Sequence, residues 1–524
     1  MPLMLPAMHS RHPIPLGTVL LLSLALRTTA GTVTNEAPRL TLVPPMPFYL
    51  YEDGAKPGLE ITWTNPPAAH GAVTVRATDA WGQEVFHSAV TLTGAVTRVG
   101  LPRKAAEHRY LKLAVTGQGR AQFAPAALSF VVLPPPVPQD RRFGFNAQPA
   151  RAPVVKRLGG LWVRNHIPWE QDAADKPFRT NGIEHVIRTT VDGGCEVFGI
   201  SSYSLAWASV VATNDDRPMR NYFSVPRPEP WEAYILHAAQ QIRGRVPAFE
   251  VWNEWNFDMF WRSVPDTPEQ RLDDYAALLK RSYAILKQAA PELRVTTGSM
   301  VTTRDSDSQA QLRGLLARGC ARSFDIVNVH YYRGAGGPEG RTWQPAEQGS
   351  LDQFLDGFTN ILASAHLSTP LWMTEMGWSS TDPGWGYVSE FEQACCLVRS
   401  HVLCFSRGVE VVLWFKLDEE PFGIMAAQAG SKPAVAAYAQ LVRALQGRSF
   451  ARPLATDTAR AYGFTGGNGA LVIAWASRPT AWSLPADLSL TRAENMLGEP
   501  VRLSPAKPLP LDRAPLYLWC AGGL

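Results

Sequence analysis

Two glutamates that close apolar segments carry the strongest chemical signal in the sequence. Glu254 lies in VPAFEVWNEWNFDMFW at 246–261, and Glu375 lies in PLWMTEMGW at 370–378. A single glutamate is usually solvated surface, but both of these lie among tryptophan and methionine residues. Hydrolysis of a glycosidic bond requires one carboxyl group as proton donor and a second as nucleophile or base. We therefore expect Glu254 and Glu375 to act as a pair.

The elements that must position this pair are strands alternating with helices over about 139–446. Eight segments have the apolar pattern of strands: 142–147, 161–167, 195–203, 248–254, 293–300, 324–332, 370–378 and 409–417. Helical patterns lie between them, and eight such units predict an α/β fold, a (β/α)8 TIM barrel. Strand ends in this fold surround one shared cavity. Glu254 would end the fourth strand and Glu375 the seventh.

Three of the helices have clear limits. Thr267-Pro268-Glu269-Gln270 combines an N-cap, a proline in the first turn and a capping-box glutamine, and predicts a helix that runs to about 290. The segment EFEQACCLVRSHVLCFS predicts a helix between the seventh and eighth strands, and KPAVAAYAQLVRAL a helix after the eighth.

Further side chains follow the predicted strands and converge on the same cavity. A guanidinium beside Glu375 would keep that carboxylate ionised, and a tyrosine could donate a hydrogen bond to it. Indole rings suit the apolar face of a sugar, although a lone tryptophan is more often a core residue. An arginine could instead form a salt bridge at the barrel rim, and a histidine could be part of the core. The candidate binding residues are Arg164, His166, Trp207, Trp255, His330, Tyr332 and Trp414.

FEVWNEWNFDMFW, LRVTTGSM, FDIVNVHYY and WMTEMGW together resemble the clan A glycoside hydrolases. The resemblance is closest to family 39, which includes β-xylosidases and α-L-iduronidases, and it covers about 141–520. It implies a retaining mechanism with Glu254 as acid/base and Glu375 as nucleophile. It also implies that Asn253 bonds the substrate 2-hydroxyl and that the leaving group is equatorial.

Two β domains flank the predicted barrel. Short alternating runs such as AVTVRAT and RYLKLAV predict an immunoglobulin-like β-sandwich over 31–138. The segment LPPPVPQD at 133–140 then predicts a stiff linker. GALVIAWAS and APLYLWCA predict a C-terminal β-sandwich over 447–524. The N-terminal domain would be either a structural spacer or a polysaccharide-binding module.

The N-terminus has the pattern of a secretory signal peptide. Arg11 precedes the apolar run LGTVLLLSLAL, and small residues follow up to Ala30. Cleavage after about residue 30 removes Arg11 and Arg27 and no acid, so the formal charge falls from +4 to +2. We therefore expect a secreted or periplasmic protein that is not held in a membrane after cleavage and does not bind nucleic acid.

Cysteine spacing gives no metal or disulfide motif. Six cysteines are present without a CxxC pair, and we expect them to be small buried residues: Cys195, Cys320, Cys395, Cys396, Cys404 and Cys520. No metal and no cofactor are expected.

The sequence thus predicts a secreted retaining glycoside hydrolase that cleaves O-glycosidic bonds of a plant- or microbe-derived oligo- or polysaccharide by double displacement. A catalytically inactive carbohydrate-binding barrel, or a transglycosylase or lyase that uses the same carboxylates, is the alternative. The sugar, its linkage, endo or exo action and the oligomeric state stay open.

Overall fold

The structure is a computed structural model. It describes residues 38–63, 72–118, 123–201, 203–211, 222–302, 306–332, 334, 337–339, 350–382, 386–418, 420–426, 430–466, 469–503 and 508–524. The expected signal peptide lies outside these ranges. No helix within them is long and apolar enough to cross a bilayer.

The N-terminal part consists of two sheets packed around their own apolar core. Alternate residues of these strands are buried, as Val73, Val75 and Ala77 are in the fourth strand, which is the pattern of strands with one face on a core. The strands are β1 (Arg39–Val43), β2 (Leu50–Tyr51), β3 (Gly58–Thr62), β4 (Ala72–Thr78), β5 (Glu84–Thr91), β6 (Val96–Gly100), β7 (Tyr110–Gln118) and β8 (Ala126–Val132). One sheet has the order β1-β3-β6, and β8-β7-β4-β5 belong to the other.

The middle of the chain forms a closed barrel of parallel strands. Its strands are β9 (Asp140–Asn146), β10 (Gly160–Ile167), β11 (Glu196–Ser201), β12 (Ala248–Glu250), β13 (Arg294–Thr296), β14 (Met300–Val301), β15 (Val327–Tyr332), β16 (Leu371–Gly377) and β17 (Val411–Trp414). β9 pairs with both β10 and β17. β13 pairs with β12 and β14 pairs with β15, so these two consecutive segments together fill the fifth strand position. A bridge between Thr296 and Ile326 closes the ring.

A helix follows each strand position of the barrel within the described ranges. The helices are α1 (Ala152–Arg157), α2 (Asn181–Asp192), α3 (Pro228–Ile242), α4 (Pro268–Ala289), α5 (Ser308–Ala317), α6 (Leu351–Ser364), α7 (Glu390–Ser406) and α8 (Pro433–Leu445). The (β/α)8 prediction is therefore confirmed. The Thr267 side chain accepts from the Gln270 backbone N–H as an N-cap, whereas the Gln270 side chain donates to Asp274 and leaves the predicted capping box half-formed.

The predicted strand limits need one correction that matters for function. β12 ends at Glu250, and Glu254 lies in the turn that follows it instead of in the strand. Trp252 and Glu254 both have positive φ angles, 72° and 43°. Non-glycine residues in this region are strained, so hydrogen bonds must hold the turn. Ser299 Oγ accepts from the Glu254 N–H at 3.0 Å and Ser201 Oγ from the Trp252 N–H at 2.8 Å.

The N-terminal sheet continues into a loop of the barrel. After β17 the chain forms β18 (Met425–Ala426) and β19 (Gly430–Ser431), and β19 pairs with β8 at Gly430 and Ser129. Gly430 has a φ of 99°, and a Cβ there would collide with the Ser129 carbonyl oxygen, so glycine permits this pairing. The loop after β17 is therefore attached to the N-terminal domain by strand pairing.

The C-terminal part is a five-stranded sheet with a two-stranded ribbon. Its strands are β20 (Ser449–Pro453), β21 (Arg460–Thr465), β22 (Ala470–Trp475), β23 (Thr480–Trp482), β24 (Ser489–Glu494), β25 (Leu509–Leu511) and β26 (Leu516–Ala521). One face packs on the barrel core through Tyr462, Phe464 and Trp475, and the other face has a small core of its own. The six cysteines are buried, as expected, and their thiols are free.

Candidate active site

A cavity of about 300 Å³ lies at the carboxyl ends of the barrel strands. Both glutamates singled out in the sequence line it, together with Arg164, His166 and Asn253. Glu254 and Glu375 are 6% and 8% exposed. A carboxylate oxygen of one lies within 4.8 Å of a carboxylate oxygen of the other. The predicted pair is thus brought together in one cavity.

Arg164 is the centre of the charge network beneath the cavity. Its side chain is 6% exposed and projects from β10. Its Nε donates to Glu250 Oε2 at 2.8 Å. Its Nη1 donates both to Glu375 Oε1 at 2.5 Å and to Asn146 Oδ1 at 2.9 Å. Nη2 donates to Asn253 Oδ1 at 2.8 Å. A planar fork of donors can hold several acceptors in fixed directions, so Arg164 sets the positions of four side chains at once.

Of the predicted pair, Glu375 is the carboxylate that accepts hydrogen bonds from a guanidinium and a hydroxyl group. Tyr332 Oη donates to Glu375 Oε2 at 2.5 Å, and Arg164 bonds the other oxygen. Burial raises the pKa of Glu375 above its usual value, and the Arg164 charge and the Tyr332 hydrogen bond limit that rise. The sequence-based expectation that Arg164 and Tyr332 contact Glu375 is met in the geometry.

Glu254 has an environment that favours its neutral form more strongly. Burial raises the pKa of Glu254 well above its usual value, and the negative charge of Glu375 raises it further. Its Oε1 lies 2.7 Å from Nδ1 of His330, which is fully buried. Burial and the positive charge of Arg164 hold the pKa of His330 well below its usual range, so this imidazole is neutral. Two neighbouring carboxyl groups with separated pKa values are the arrangement in which one is acid and the other is anion.

Asn253 has its amide oxygen already engaged. Oδ1 accepts from Arg164 and, at 3.2 Å, from Ser299 Oγ. The amide nitrogen is therefore the group that this cavity-lining side chain can offer to a ligand. His166 also lines the cavity, and its Nδ1 lies 3.2 Å from the Ser201 carbonyl oxygen.

The three predicted tryptophans do not line the cavity. Trp414 is fully buried and stacks between Trp378 and His401 of α7. Leu413 faces the barrel interior, so strand alternation turns Trp414 outward to the helices and Phe415 inward to the cavity. The sequence predicted that Trp414 lines the cavity, but its neighbour Phe415 occupies that position.

Trp255 lies in the core and Trp207 lies at the rim, and each packs against another aromatic ring. Trp255 is fully buried and stacks on Tyr275 of α4 at a centroid distance of 4.0 Å. Trp207 lies in a short turn, where its Nε1 donates to the Gln171 carbonyl oxygen and its ring packs edge-on against Trp169. Each indole has protein contacts in place of access to the cavity.

Several site residues were missed in the sequence. Glu250 is fully buried and binds both Arg164 and the Ser299 N–H; a glutamate inside the apolar run AFEVW was the available signal. The other missed residues follow no recognisable sequence pattern, because only the packing of distant strands brings them to the cavity. These cavity-lining residues are Asn146, Tyr203, Phe260, Phe415, Lys416 and Asp418.

Glu254, His330 and Glu375 also have the donor atoms that a metal ion would need, within 4.8 Å of one another. Each donor already has a protein partner: His330 for Glu254, Arg164 and Tyr332 for Glu375, and Thr374 for His330. The guanidinium beside Glu375 would repel a cation. We assign no metal to this group.

A larger cavity, of about 690 Å³, lies between the barrel and the C-terminal domain. Among its charged residues, Arg399 forms ion pairs with Glu392 at 3.1 Å and with Glu339 at 3.2 Å. These ion pairs offer no combination of acid and nucleophile, so size does not identify the active site in this molecule.

The solved structures similar to this chain include glycosidases. A family 39 glycoside hydrolase from Bacteroides cellulosilyticus aligns with a TM-score of 0.68 at 18% identity, over 92% of this chain and 100% of that chain. A family 30 endoxylanase from Clostridium papyrosolvens aligns at 0.48 and 12% identity, over 74% and 98%. A glucosidase from Croceicoccus marinus aligns at 0.47 and 13%, over 72% and 82%. No family model and no curated protein matches the sequence. The first alignment shows that the fold is shared along nearly the whole chain.

Proposed function

We propose that this chain is a retaining glycoside hydrolase that cleaves an O-glycosidic bond in an oligo- or polysaccharide of plant or microbial origin. The observation that carries the proposal is the carboxyl pair of Glu254 and Glu375, whose oxygens approach within 4.8 Å and whose environments differ. Retaining glycosidases have carboxyl groups about 5–5.5 Å apart, and inverting enzymes about 6.5–9.5 Å. The 4.8 Å limit applies to one oxygen of each group, so the separation of the carboxyl groups themselves is longer, and an approach this close fits the retaining geometry.

In the first step Glu375 attacks the anomeric carbon while Glu254 gives its proton to the leaving oxygen. The glycosidic C–O bond breaks, and the sugar becomes bound to the Glu375 carboxylate as an ester. Arg164 and Tyr332 hold Glu375 ionised and aimed before attack. In the second step the Glu254 carboxylate takes a proton from water, and the resulting hydroxide releases the sugar with its original anomeric configuration.

The binding-protein alternative leaves the asymmetry of the pair unexplained. A lectin needs hydrogen bonds to hydroxyl groups, but it has no need of a buried carboxylic acid 2.7 Å from a neutral histidine. A transglycosylase or a lyase would use the same residues, and analysis of the products separates these activities from hydrolysis.

Azide rescue tests the two roles. After a panel of aryl glycosides has identified the accepted sugar, Glu254→Ala should still react with an aryl glycoside whose leaving group needs no proton. Azide should then accelerate turnover and give a glycosyl azide of retained configuration. Glu375→Ala has no nucleophile, so azide should attack directly and give the inverted product.

Opposite configurations from the two variants support the assignment. The same configuration from both, or rescue of neither when circular dichroism shows both to be folded, would overturn it. Glu410→Gln is a suitable control, because Glu410 pairs with Arg294 and is not among the cavity-lining residues.

We further propose that the protein is exported. The support is the charged and apolar N-terminal segment, which lies outside the described residues. Expression in a bacterial host followed by N-terminal sequencing of the mature protein tests this. Residue 31 at the start of the exported form is the expected result, and an intact N-terminus in the cytoplasm contradicts it.

A further inference from the structure

A chain of fully buried polar side chains lies behind Glu254 and ends at Asn328. His330 bonds Glu254 through Nδ1 at 2.7 Å and Thr374 through Nε2 at 3.0 Å. The Thr374 hydroxyl in turn donates to Asn328 Oδ1 at 2.6 Å. Asn328, His330 and Thr374 are each 0% exposed, so water does not compete for these bonds.

The backbone of β16 makes the chain possible. Met373 and Glu375 of β16 pair with the consecutive residues Val329 and His330 of β15, so Thr374 is an extra residue in β16. Relative to β17, β16 also has one extra residue between Met373 and Met376. Such a bulge re-aims side chains next to it. It places two consecutive residues, Thr374 and Glu375, within reach of His330, although successive side chains of a regular strand point to opposite faces.

The hydrogen bonds of this chain run in one direction only. A hydroxyl has one proton, and the 2.6 Å separation of Thr374 Oγ1 and Asn328 Oδ1 suits an O–H···O bond better than an N–H···O bond. Since Thr374 gives its proton to Asn328, its lone pair accepts from Nε2–H of His330. A neutral imidazole carries one N–H. Nδ1 is then an acceptor, and the proton between it and Glu254 belongs to the carboxylic acid.

We propose that Thr374 and Asn328 fix the proton of His330 on Nε2, so that His330 accepts a hydrogen bond from the carboxylic acid of Glu254 and keeps the acid/base protonated. This inference rests on the proposed function. His330, Thr374 and Asn328 are positioning residues, because they act through Glu254 and line the cavity at no point. The Glu254 proton is the one that passes to the leaving oxygen as the glycosidic bond breaks.

The same arrangement serves the second half of the reaction. Once Glu254 has lost its proton, its carboxylate faces the lone pair of Nδ1, an unfavourable contact at this distance. A hydrogen bond to the neutral form of an acid raises its pKa, so the ionised carboxylate becomes a stronger base toward water. The chain therefore reinforces both proton transfers.

Other charged and titratable groups also act on Glu254 from the elements around it. Glu375 on β16 and Glu250 on β12 are negative and favour the protonated acid, whereas Arg164 on β10 favours the anion. Tyr203 and Tyr332 lie close enough to interact with Glu254. The contribution of His330 must therefore be measured as a difference between variants that leave these groups in place.

Thr374→Val tests the proposal with little change in shape. Without the hydroxyl, Nε2 has no acceptor, and the histidine proton should move to Nδ1 and donate to Glu254. The alkaline limb of the kcat/KM profile should then shift down by about one pH unit, the size of one hydrogen bond. Thr374→Ser restores the hydroxyl and should restore the wild-type limb. The acidic limb, which Glu375 sets, should stay in place and so reports whether the strand has been disturbed.

The tautomer can be observed without any substrate. In protein labelled with ¹⁵N-histidine, the ring signals of His330 are identified by their loss in His330→Gln, and two-bond ¹H–¹⁵N correlations show which nitrogen carries the proton. Nε2–H in the wild type and Nδ1–H in Thr374→Val are the expected results. Nδ1–H in the wild type, or an unchanged alkaline limb in Thr374→Val, overturns the inference. Failure of the proposed function alone would abolish turnover and leave the tautomer result intact.

Discussion

Arg164 and Glu250 form a buried ion pair directly beneath the carboxyl groups of the cavity, with Nε of Arg164 2.8 Å from Oε2 of Glu250. Glu250 is held from its other oxygen by the Ser299 N–H at 2.9 Å. Arg164 therefore has one rigid anchor, and its remaining donors are aimed at Glu375, Asn253 and Asn146. The pair thus fixes the orientation of side chains that line the cavity.

Glu250→Gln should lower kcat/KM by about 10- to 100-fold, because loss of the anchoring charge lets the guanidinium shift and misplaces Glu375. Steady-state kinetics on an accepted aryl glycoside measure this. Glu410→Gln alters a bidentate, half-exposed Arg–Glu pair with Arg294, at 2.8 and 2.9 Å, away from the cavity. Equal losses in both variants would contradict a specific role for Glu250.

The pH profile of kcat/KM should be bell-shaped. Glu375 must be ionised, so activity rises as pH passes its pKa; Glu254 must be protonated, so activity falls as pH passes its higher pKa. Tyr332→Phe removes a hydrogen bond that lowers the pKa of Glu375. The acidic limb should therefore move up by about one pH unit.

Tyr283→Phe is the matched control for Tyr332→Phe, since Tyr283 donates to Asp325 at 2.9 Å outside the cavity. Its profile should match the wild type. A downward shift of the acidic limb in Tyr332→Phe would show that Tyr332 does not stabilise the anion.

Substitution of Trp414 should affect mainly stability, whereas substitution of Phe415 should affect mainly substrate binding. Trp414→Ala leaves a large void between the barrel and α7 and should lower the free energy of unfolding by about 3–5 kcal/mol, with kcat/KM of the folded fraction close to wild type. Phe415→Ala removes a cavity wall and should raise KM with a smaller loss of stability. Denaturant unfolding measures the stability of both variants, and steady-state kinetics measure their KM and kcat/KM. A kinetic defect in Trp414→Ala at wild-type stability would restore the original sugar-binding interpretation.

Gly298→Ala should disturb the turn that carries Glu254. A Cβ there would lie 2.5 Å from the Val251 carbonyl oxygen and 2.9 Å from that of Trp252. Because backbone atoms cannot rotate away, the turn must move, and we expect at least a tenfold loss of kcat. Gly100→Ala, where a Cβ meets no atom within 4 Å, should have wild-type kinetics. Unchanged kcat in Gly298→Ala would show that the turn tolerates displacement.

The N-terminal domain should influence the active site through Phe48. The Arg151 guanidinium lies 4.6 Å from the centre of the Phe48 ring and forms an ion pair with Asp418, which lines the cavity. Phe48→Ala removes a cation–π contact, which corresponds to about a 2- to 5-fold rise in KM. Phe86 packs against the N-terminal core, and Phe86→Ala should lower stability without changing KM. No change in KM for Phe48→Ala would leave the domain as a spacer.

Local patterns in the sequence were sufficient for most of the elements and for the choice of Glu254 and Glu375 as the candidate catalytic pair. The segment 390–406 became α7 with the predicted limits, and Thr267 caps α4. Apolar periodicity and capping act within a few residues of one another, so a single sequence contains them. The prediction that Glu254 and Glu375 share one cavity then follows from the geometry of a parallel barrel.

Tertiary structure decided which side chains face the cavity and which polar side chains meet behind it. Trp414 and Phe415 are both aromatic neighbours at a strand end, and only the phase of β17 in the closed barrel turns one outward and the other inward. Thr374 reaches His330 because β16 carries an extra residue relative to both adjacent strands. Glu250 is an anchor because Arg164 comes to it from another strand, 86 residues away. Phase, bulge and pairing depend on registers between distant segments, and composition and spacing along one segment do not contain that information.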